Sequence, residues 1–336
     1  EPVSGVAVIL LNWNSYDLLR ACLHSLRNAT YPDLRTYVVD NGSRDASEVD
    51  RLMEEFPKVT VMRLPENVGF ARACNVGIKR ALAEGAAHVI LLNNDTVVEP
   101  GFAEPLVAAA ESDPRIGAVT GKIYYAADRR RIWCAGGDHH WLLGNCEYTG
   151  EGMVDRGQFD RMREIGFATM CYSLFPRRVF EAVGLVPEQY FFGLEEWDYS
   201  VALRKAGYQL VYVPDSVIYH KVGQSYGRFE AGMIYNFYRN KILFTRSYMP
   251  RWFWWAWYVV FAAYAVGLAP FRMRLLAYDR GEGERRGDRT FHRVSVSVMR
   301  RVIAKALADA RSKSVVTWKD IQAVREEFCL PALGMR

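Results

Sequence analysis

The first hundred residues alternate between apolar runs and amphipathic stretches, and this alternation constrains the fold more than any other feature. Gly5 to Trp13 reads GVAVILLNW, an apolar run typical of a strand that is covered on both faces. Residues 16–28 follow with leucines at helical spacing. LRTYVVD, VTVMRL and AHVILLNN then read as strands, with helices near 46–55 and 70–84. The pattern predicts an α/β fold with a parallel sheet and helices on both faces.

Polar residues cluster where the predicted strands end. They are Asn12 and Asn14 after the first strand, Asp40 after the second, Asn67 after the third, and Asn93, Asn94 and Asp95 after the fourth. Because parallel strands end at one edge of a sheet, these residues predict a ligand crevice there. No GxGxxG or GxxxxGK[ST] segment provides a glycine-rich phosphate cradle. The alternative for Asn93 to Asp95 is an ordinary strand-end turn.

Five motifs occur in order between residues 5 and 245. They are VILLNWNS, VVDNGSRD, ENVGFARACNVGI, LLNNDTVVEPG, and FFGLEEWDYSVALRKAG with VIYHKVGQS after it. Together they resemble the motifs of inverting GT-A glycosyltransferases of family 2, especially the branch that includes bacterial rhamnosyltransferases. The resemblance implies a GT-A domain at 1–245. Its nucleotide-sugar-binding half would be 1–120 and its acceptor half, a mixed α+β region, 121–245, followed by a helical tail at 246–336.

The resemblance also implies a metal site. A departing diphosphate needs charge neutralisation, for which a hard divalent cation with oxygen and imidazole ligands is suited. Asp95 stands at the direct ligand position of the family's DxD motif, and His220 resembles its second ligand. We therefore expect Mg²⁺ or Mn²⁺ as cofactor. Asn93 replaces the first Asp of that motif and brings no charge, so we expect a lower metal affinity than at a two-carboxylate site.

The donor-binding residues implied by the resemblance lie along the same crevice. Asp40 would accept the ring N–H of uracil or thymine, the alternative being a turn within DNGS. Arg72 would lie near the diphosphate, the alternative being a solvated surface arginine. Asn67 would shape its loop and touch the donor. The remaining donor-binding positions are Asn12, Asn14, Asn93 and Asn94.

An inverting displacement needs one base to take the acceptor hydroxyl proton. The family places this carboxylate second in an acidic pair, which implies Glu196 here, with Glu195 and Asp198 as alternates. The competing interpretation is an acidic N-terminus of the helix 195–206, where carboxylates favour the helix dipole. Trp197 would stack on an acceptor sugar or fill the core.

Two histidine and cysteine groupings have simpler interpretations. Cys134, His139, His140 and Cys146 are zinc-ligand types, but their spacing matches no common zinc site, and we expect buried thiols beside a surface histidine pair. His24 and His88 are expected to be structural. The six cysteines form no CxxC pair, which favours reduced thiols in a cytosolic protein.

The resemblance implies transfer of one sugar in cell-envelope glycan synthesis and favours dTDP-L-rhamnose as donor, with a lipid-linked or polysaccharide acceptor. A processive synthase would carry QxxRW, whereas the glutamine-led stretches here read QFDRM and QSYGRF. A catalytically silent nucleotide-sugar-binding scaffold would lack the metal and base residues, yet Asp95, Glu196 and His220 are all present.

The end of the chain predicts a membrane-associating tail. Residues 272–336 hold 15 basic and 8 acidic residues, and residues 252–271 hold no charge and four tryptophans. Tryptophan prefers the membrane interface, so we expect 252–271 and the basic amphipathic stretch near 293–311 to lie on anionic lipid. The expected location is the cytoplasmic face of the inner or plasma membrane, without a nucleic-acid partner. A spanning segment, a buried helix and a homodimer interface are the alternatives.

Overall fold

A computed structural model describes residues 5–222, 231–273, 295–312 and 315–328. The chain divides into two compact units. The sheet unit contains residues 5–188 and 195–222, and the helical unit contains 189–194 together with the described residues from 231 onward. The end of the last predicted motif (223–225) and parts of the predicted tail (274–294, 313–314 and 329–336) lie outside the described residues.

The sheet unit contains twelve strands and six helices within its described residues. In chain order they are β1 (Val6–Asn12), α1 (Tyr16–Leu26), β2 (Leu34–Asp40), α2 (Ala46–Glu55), β3 (Thr60–Arg63), α3 (Phe70–Ala83), β4 (His88–Asn93), β5 (Thr96–Val98), α4 (Glu104–Ser112), β6 (Ile116–Tyr125), β7 (Asp128–Cys134), β8 (Gly137–His140), β9 (Asn145–Tyr148), β10 (Arg163–Glu164), β11 (Tyr172–Pro176), α5 (Arg177–Val183), α6 (Glu195–Lys205) and β12 (Gln209–His220).

Ten of these strands form one mixed sheet in the order β10-β12-β6-β11-β4-β1-β2-β3, with β5 beside β12 and β7 beside β6. The four strands predicted from sequence are parallel neighbours at one side of it. In β1, Val6, Val8 and Leu10 enter one core cluster, while Ala7 and Ile9 enter the other. Both faces of β1 are therefore covered, which explains its continuous apolar sequence and confirms the predicted α/β class.

The strand register brings the polar strand ends together. Asn12 pairs with Asp40 at the ends of β1 and β2, and Asn93 pairs with Leu11. After a turn at Asn94 and Asp95 the chain enters β5, whose first residue, Thr96, is paired with His220 at the end of β12. This antiparallel pairing, which the sequence did not indicate, places the turn after β4 beside the end of β12.

The helical unit contains α7 (Ala231–Tyr248), α8 (Arg251–Gly267), α9 (Val296–Ser312) and α10 (Trp318–Phe328). Side chains of all four helices share one apolar core. The predicted boundary at 245/246 placed α7 in the catalytic domain, whereas α7 packs with the later helices. The reason is that α7 buries residues such as Ile234, Tyr235 and Ile242 in the helical core.

Amide side chains in α7 also hold the segment 189–194. Asn240 Nδ2 donates to the carbonyls of Phe192 (3.2 Å) and Gly193 (2.9 Å), and the amide of Asn236 donates to Phe192 as well. Leu194 follows with a φ of 76°, a left-handed conformation that is costly for a branched side chain. The hydrogen bonds from α7 thus fix the backbone next to a strained residue.

The predicted apolar run forms a helix with one covered face. Trp254, Trp257, Tyr258 and Phe261 of α8 are buried in the helical core. The other face is exposed and uncharged, with Trp252 77%, Trp255 56% and Val260 71% exposed. None of the helices in the described part of the chain has the length and apolarity needed to cross a bilayer.

The second stretch expected to bind lipid, near 293–311, contains α9, whose apolar residues are buried. Met299, Val302, Ile303, Ala306 and Leu307 of α9 are buried in the helical core. The apolar face of α9 is therefore occupied by protein, and contact of this basic stretch with anionic lipid stays a prediction.

Candidate active site

Asp95 and His220, the two predicted metal ligands, face each other. Nε2 of His220 lies 3.1 Å from Oδ1 of Asp95, and the two residues are 7% and 4% exposed respectively. The backbone N–H of Lys221 donates to the Asp95 carbonyl at 2.8 Å. Oδ1 of Asp95 and Nδ1 of His220 are buried without a hydrogen bond. The turn after β4 is thus a turn and also a point where two metal-ligand types meet.

This pair fits a divalent cation. Two neighbouring ligands of an octahedral ion at about 2.1 Å are about 3.0 Å apart, close to the observed separation. A carboxylate oxygen and an imidazole nitrogen suit Mg²⁺ or Mn²⁺. Among the described residues, no three His, Cys, Asp or Glu side chains form a group that could hold a metal ion. The protein would therefore supply few ligands and leave coordination positions for donor oxygens and water.

Asn93, the replacement in the DxD motif, is fixed through its backbone. Its N–H donates to the Cys171 carbonyl at 2.9 Å, and its own carbonyl accepts from the Thr96 hydroxyl at 2.7 Å. The side-chain amide of Asn94 donates to Oδ1 of Asn12 at 3.3 Å. These bonds hold the Asn93 to Asp95 turn against β11 and β1.

Asp40 sits in a buried polar network. Oδ1 of Asp40 accepts from the Asn12 amide at 3.0 Å and from the Ser43 hydroxyl at 2.5 Å, and Oδ2 accepts from the Ser43 N–H at 3.2 Å. The turn that was the alternative interpretation is therefore present. A carboxylate has about four lone-pair positions, so Asp40 keeps acceptor capacity for a ring N–H.

Two further predicted donor residues shape loops. Asn14 is exposed with a φ of 50°, and its side chain accepts from the Arg44 N–H at 2.8 Å. Oδ1 of Asn67 accepts from Gly69 N–H and from the Asn41 amide, both at 3.0 Å. Asn67 therefore fixes the entry into α3, as expected for its loop role, while donor contact stays a prediction.

Arg72 lies in the first turn of α3. Its Nε is 3.2 Å from Oε2 of Glu188, and the Asn75 amide donates to the other oxygen of Glu188 at 2.9 Å. Arg72 is 44% exposed at its side chain. The arginine is therefore partnered at the surface, and a diphosphate would compete with Glu188 for it.

The two adjacent carboxylates at the start of α6 affect thiols of different parts of the sheet unit. Burial, and next the charge of Glu195, raise the pKa of Cys74 in α3. Burial raises the pKa of Cys171 most, with further contributions from Asp95, Cys134 and Glu196. Cys171 therefore lies near both Asp95 and Glu196, whereas Glu195 lies near α3. This favours Glu196 over Glu195 as the carboxylate beside the metal-ligand pair.

Glu196 has its own environment of partners. Burial raises the pKa of its carboxyl, and hydrogen bonds from its own backbone N–H and from the Tyr148 hydroxyl oppose that rise. Asp198 is buried at 4% exposure, and Trp197 is buried at 8%. The burial of Trp197 favours core packing over acceptor stacking, because little of the residue is accessible.

Sequence reasoning missed one aromatic residue of the site, Trp133, which contacts both His220 and Tyr148. The Trp133 ring lies 4.4 Å from the His220 ring and 5.1 Å from the Tyr148 ring. The available signal was the Gly- and aromatic-rich composition of 133–152, which named no individual residue.

The other groupings have ordinary partners. The Cys134 thiol donates to the Gly136 carbonyl at 3.3 Å, and His140 pairs with Glu147 at 2.8 Å. His88 is buried against Glu111 and His24 pairs with Glu55. Five cysteines of the described residues are free thiols.

The fold and this site define a GT-A glycosyltransferase, and comparison with known proteins identifies the family. The profile of glycosyl transferase family 2 matches residues 7–184, so the chain belongs to that family. GalNAc-T7, in its crystal structure with UDP, GalNAc and Mn²⁺, shares the fold at a TM-score of 0.60 and 17% identity, over 79% of this chain and 51% of that one. These findings confirm the predicted family, fold and enzyme class.

Two relatives of this chain match it over about two thirds of its length or more. The N-acetylglucosaminyl-diphospho-decaprenol L-rhamnosyltransferase of Mycobacterium tuberculosis is 27% identical over 73% of this chain and 85% of the relative. An N-acetylglucosaminyltransferase of Rhizobium meliloti is 27% identical over 65% of this chain, which spans about half (51%) of that relative.

Proposed function

We propose that this glycosyltransferase transfers one L-rhamnose from dTDP-L-rhamnose, with inversion, to a lipid-linked sugar acceptor in cell-envelope glycan synthesis. The observation that carries the proposal is the contact between Asp95 and His220, with Oδ1 and Nε2 3.1 Å apart; after burial, the charges of Asp95 and Glu196 both raise the pKa of Cys171. This arrangement supports a cation site formed by Asp95 and His220, with Glu196 as candidate base in the same unit of the chain. The rhamnosyltransferase relative, which covers 73% of the chain, supports the choice of sugar.

The donor end of the site would bind the nucleotide and the diphosphate. Asp40 would accept the ring N–H of thymine through a lone pair left beside its bonds to Asn12 and Ser43. Asp95 and His220 would hold Mg²⁺ or Mn²⁺, which would offset the charge of the departing diphosphate. Arg72 would exchange Glu188 for a diphosphate oxygen.

The acceptor end would supply the base. Glu196 takes the proton from the attacking acceptor hydroxyl while the oxygen forms its bond to the anomeric carbon and the bond to the diphosphate breaks. Burial raises the pKa of Glu196, which brings its basicity closer to neutral pH and suits a general base. Glu195, whose charge adds to the effect of burial in raising the pKa of Cys74, remains the alternate base with Asp198.

Lipid attachment is the second part of the proposal. The exposed face of α8 carries Trp252, Trp255, Val259 and Val260 without a charge among them. Such a face favours the interface of the cytoplasmic leaflet of the inner or plasma membrane, where the lipid-linked acceptor would be. The lipid-linked substrate named for the tuberculosis relative supports this acceptor class. A homodimer through the same face is the alternative.

A donor screen tests the sugar assignment. Purified protein is incubated with dTDP-L-rhamnose, UDP-N-acetylglucosamine and other nucleotide sugars, with Mg²⁺, with Mn²⁺ or with EDTA, and release of the nucleoside diphosphate is measured. We expect slow hydrolysis of dTDP-L-rhamnose that needs the metal and is lost in Asp95→Asn. A preference for UDP-N-acetylglucosamine would mean that this nucleotide sugar, not dTDP-L-rhamnose, is the donor. Equal hydrolysis rates in EDTA would overturn the metal role.

A further inference from the structure

Trp133 is placed by an irregularity in β7. On β6, Ile123 pairs with Cys134, and the next residue pairs with Ile132, so Trp133 between them is the extra residue of a β-bulge. A bulge redirects the side chain of its extra residue. β6 also pairs with β12, which ends at His220. The bulge therefore lies beside the end of β12, where the predicted metal ligand is.

The Trp133 ring is buried between two other rings. It lies 4.4 Å from the His220 ring at an interplanar angle of 75°, and 5.1 Å from the Tyr148 ring at 34°. The N–H of Ala135 donates to the Thr149 carbonyl at 2.9 Å, which fixes the segment of Tyr148 beside β7. Edge-to-face contacts such as the one with His220 are a favoured arrangement of aromatic rings. Trp133 thus meets the imidazole in a defined geometry, with Tyr148 packed against the indole as well.

The His220 imidazole lacks the contact that usually orients a metal-binding histidine. Such a histidine almost always donates its second ring N–H to a carboxylate, a carbonyl or a water. Nε2 of His220 lies 3.1 Å from Oδ1 of Asp95. Nδ1 is buried and has no hydrogen-bond partner among the described residues. Within the described part of the chain, the ring contact with Trp133 is therefore the interaction that can set the plane of the imidazole.

We propose that Trp133 is a positioning residue for His220, whose indole fixes the imidazole plane with Nε2 facing Asp95, in place of a hydrogen bond at Nδ1. The inference rests on the proposed role of His220 as a metal ligand. The second side-chain torsion of histidine has broad minima, so an imidazole without lateral contacts samples many planes. An edge-to-face contact limits this rotation, because the contact is lost when the ring turns. The cation would then meet a ligand that is already oriented.

Metal affinity tests this role. Trp133→Leu and Trp133→Met keep an apolar side chain and remove the ring, and the Kd for Mn²⁺, measured by EPR in the presence of dTDP, should rise about 10-fold. Trp133→Phe keeps an aromatic ring and should stay closer to wild type. The control is Trp141→Leu, at a ring that is 40% exposed and stacks on His139 at 5.2 Å, and it should leave the Kd unchanged. A purely structural role would lower the metal-free Tm of the Leu and Met variants without changing their Kd, and that result overturns the inference.

A measurement on the metal-free protein separates this inference from the metal assignment. The ring of His220 is followed by ¹³C NMR relaxation in histidine-labelled protein, and its resonance is assigned through its absence in His220→Asn. The order parameter should be high in wild type and Trp133→Phe and lower in Trp133→Leu and Trp133→Met. That result supports the inference even if Mn²⁺ binds equally to wild type and His220→Asn, which would overturn only the metal role of His220. An equally rigid ring in all four proteins overturns the role of Trp133.

Discussion

Nε2 of His220 lies 3.1 Å from Oδ1 of Asp95, although 124 residues separate them in the chain. The contact exists because β5, which begins directly after Asp95, pairs with the last residues of β12. Both side chains are buried, and each keeps one polar atom without a hydrogen bond. A carboxylate and an imidazole brought together in this way have the chemistry of a divalent cation site.

Substitution of Asp95 tests that chemistry. Asp95→Asn keeps the size of the side chain and removes its charge, so transfer should fall at least about 10²-fold because the diphosphate loses its cation. In wild type with dTDP, Mn²⁺ should raise Tm in a dose-dependent manner, since ligand binding stabilises the folded state. The rise should be absent in Asp95→Asn. An equal Mn²⁺ effect in both proteins would show that the cation binds elsewhere.

Glu196 and Glu195 provide a matched pair. Glu196→Gln removes the basicity at constant shape, and turnover should drop by roughly 10²-fold or more while donor binding persists. Glu195→Gln is the matched comparison, because Glu195 is the neighbouring carboxylate in the first turn of α6. Single-turnover transfer and donor titration separate chemistry from binding. The reverse pattern, an active Glu196→Gln and an inactive Glu195→Gln, would move the base by one residue.

The exposed face of α8 predicts lipid binding. A Trp252→Glu, Trp255→Glu double variant should no longer co-float with anionic vesicles in a density gradient. Its transfer to a lipid-linked acceptor should fall more than its donor hydrolysis. The control is Met53→Glu, which changes an exposed apolar side chain outside α8, in α2. If wild type stays in solution with the vesicles at low salt, the face has another partner. Sedimentation of the same proteins then tests the homodimer alternative.

The α7 amides predict a stability effect. Asn240→Ala removes the donor to the carbonyls of Phe192 and Gly193, beside the strained Leu194. Unsatisfied buried carbonyls cost about 1–3 kcal/mol, so the free energy of unfolding of the helical unit should fall by that amount in urea titrations. Asn28→Ala, at an exposed amide, is the control. An unchanged midpoint in Asn240→Ala would mean that water replaces the lost donor.

The sequence predicted the elements whose signal is local. β1 and β4 could be recognised because each is an unbroken apolar run, and Asn12, Asp40 and Asp95 could be placed at one edge because parallel strands end together. The helices predicted at 46–55 and near 70–84 are α2 and α3 within a residue. The spacing of apolar residues in the local sequence was sufficient to predict these two helices.

The remainder depended on pairings between distant segments. Trp133 is 87 residues from His220, and nothing in its neighbourhood distinguishes it from the other aromatics of 133–152. Likewise the sequence did not indicate that α7 belongs to the helical unit, because only packing decides that it joins the helical core. The choice between Glu195 and Glu196 stays a prediction, because it depends on side-chain directions and adjacent residues of a helix face different ways.

The most direct measurement follows a single transfer reaction by NMR, with dTDP-L-rhamnose and a lipid-linked N-acetylglucosamine acceptor, in Mg²⁺ and in EDTA. The account predicts a glycoside whose anomeric configuration is opposite to that of the donor, formed in Mg²⁺ and at least about 10²-fold more slowly in EDTA. Retention of configuration would contradict the direct displacement assisted by Glu196, and an equal rate in EDTA would contradict the metal role of Asp95 and His220.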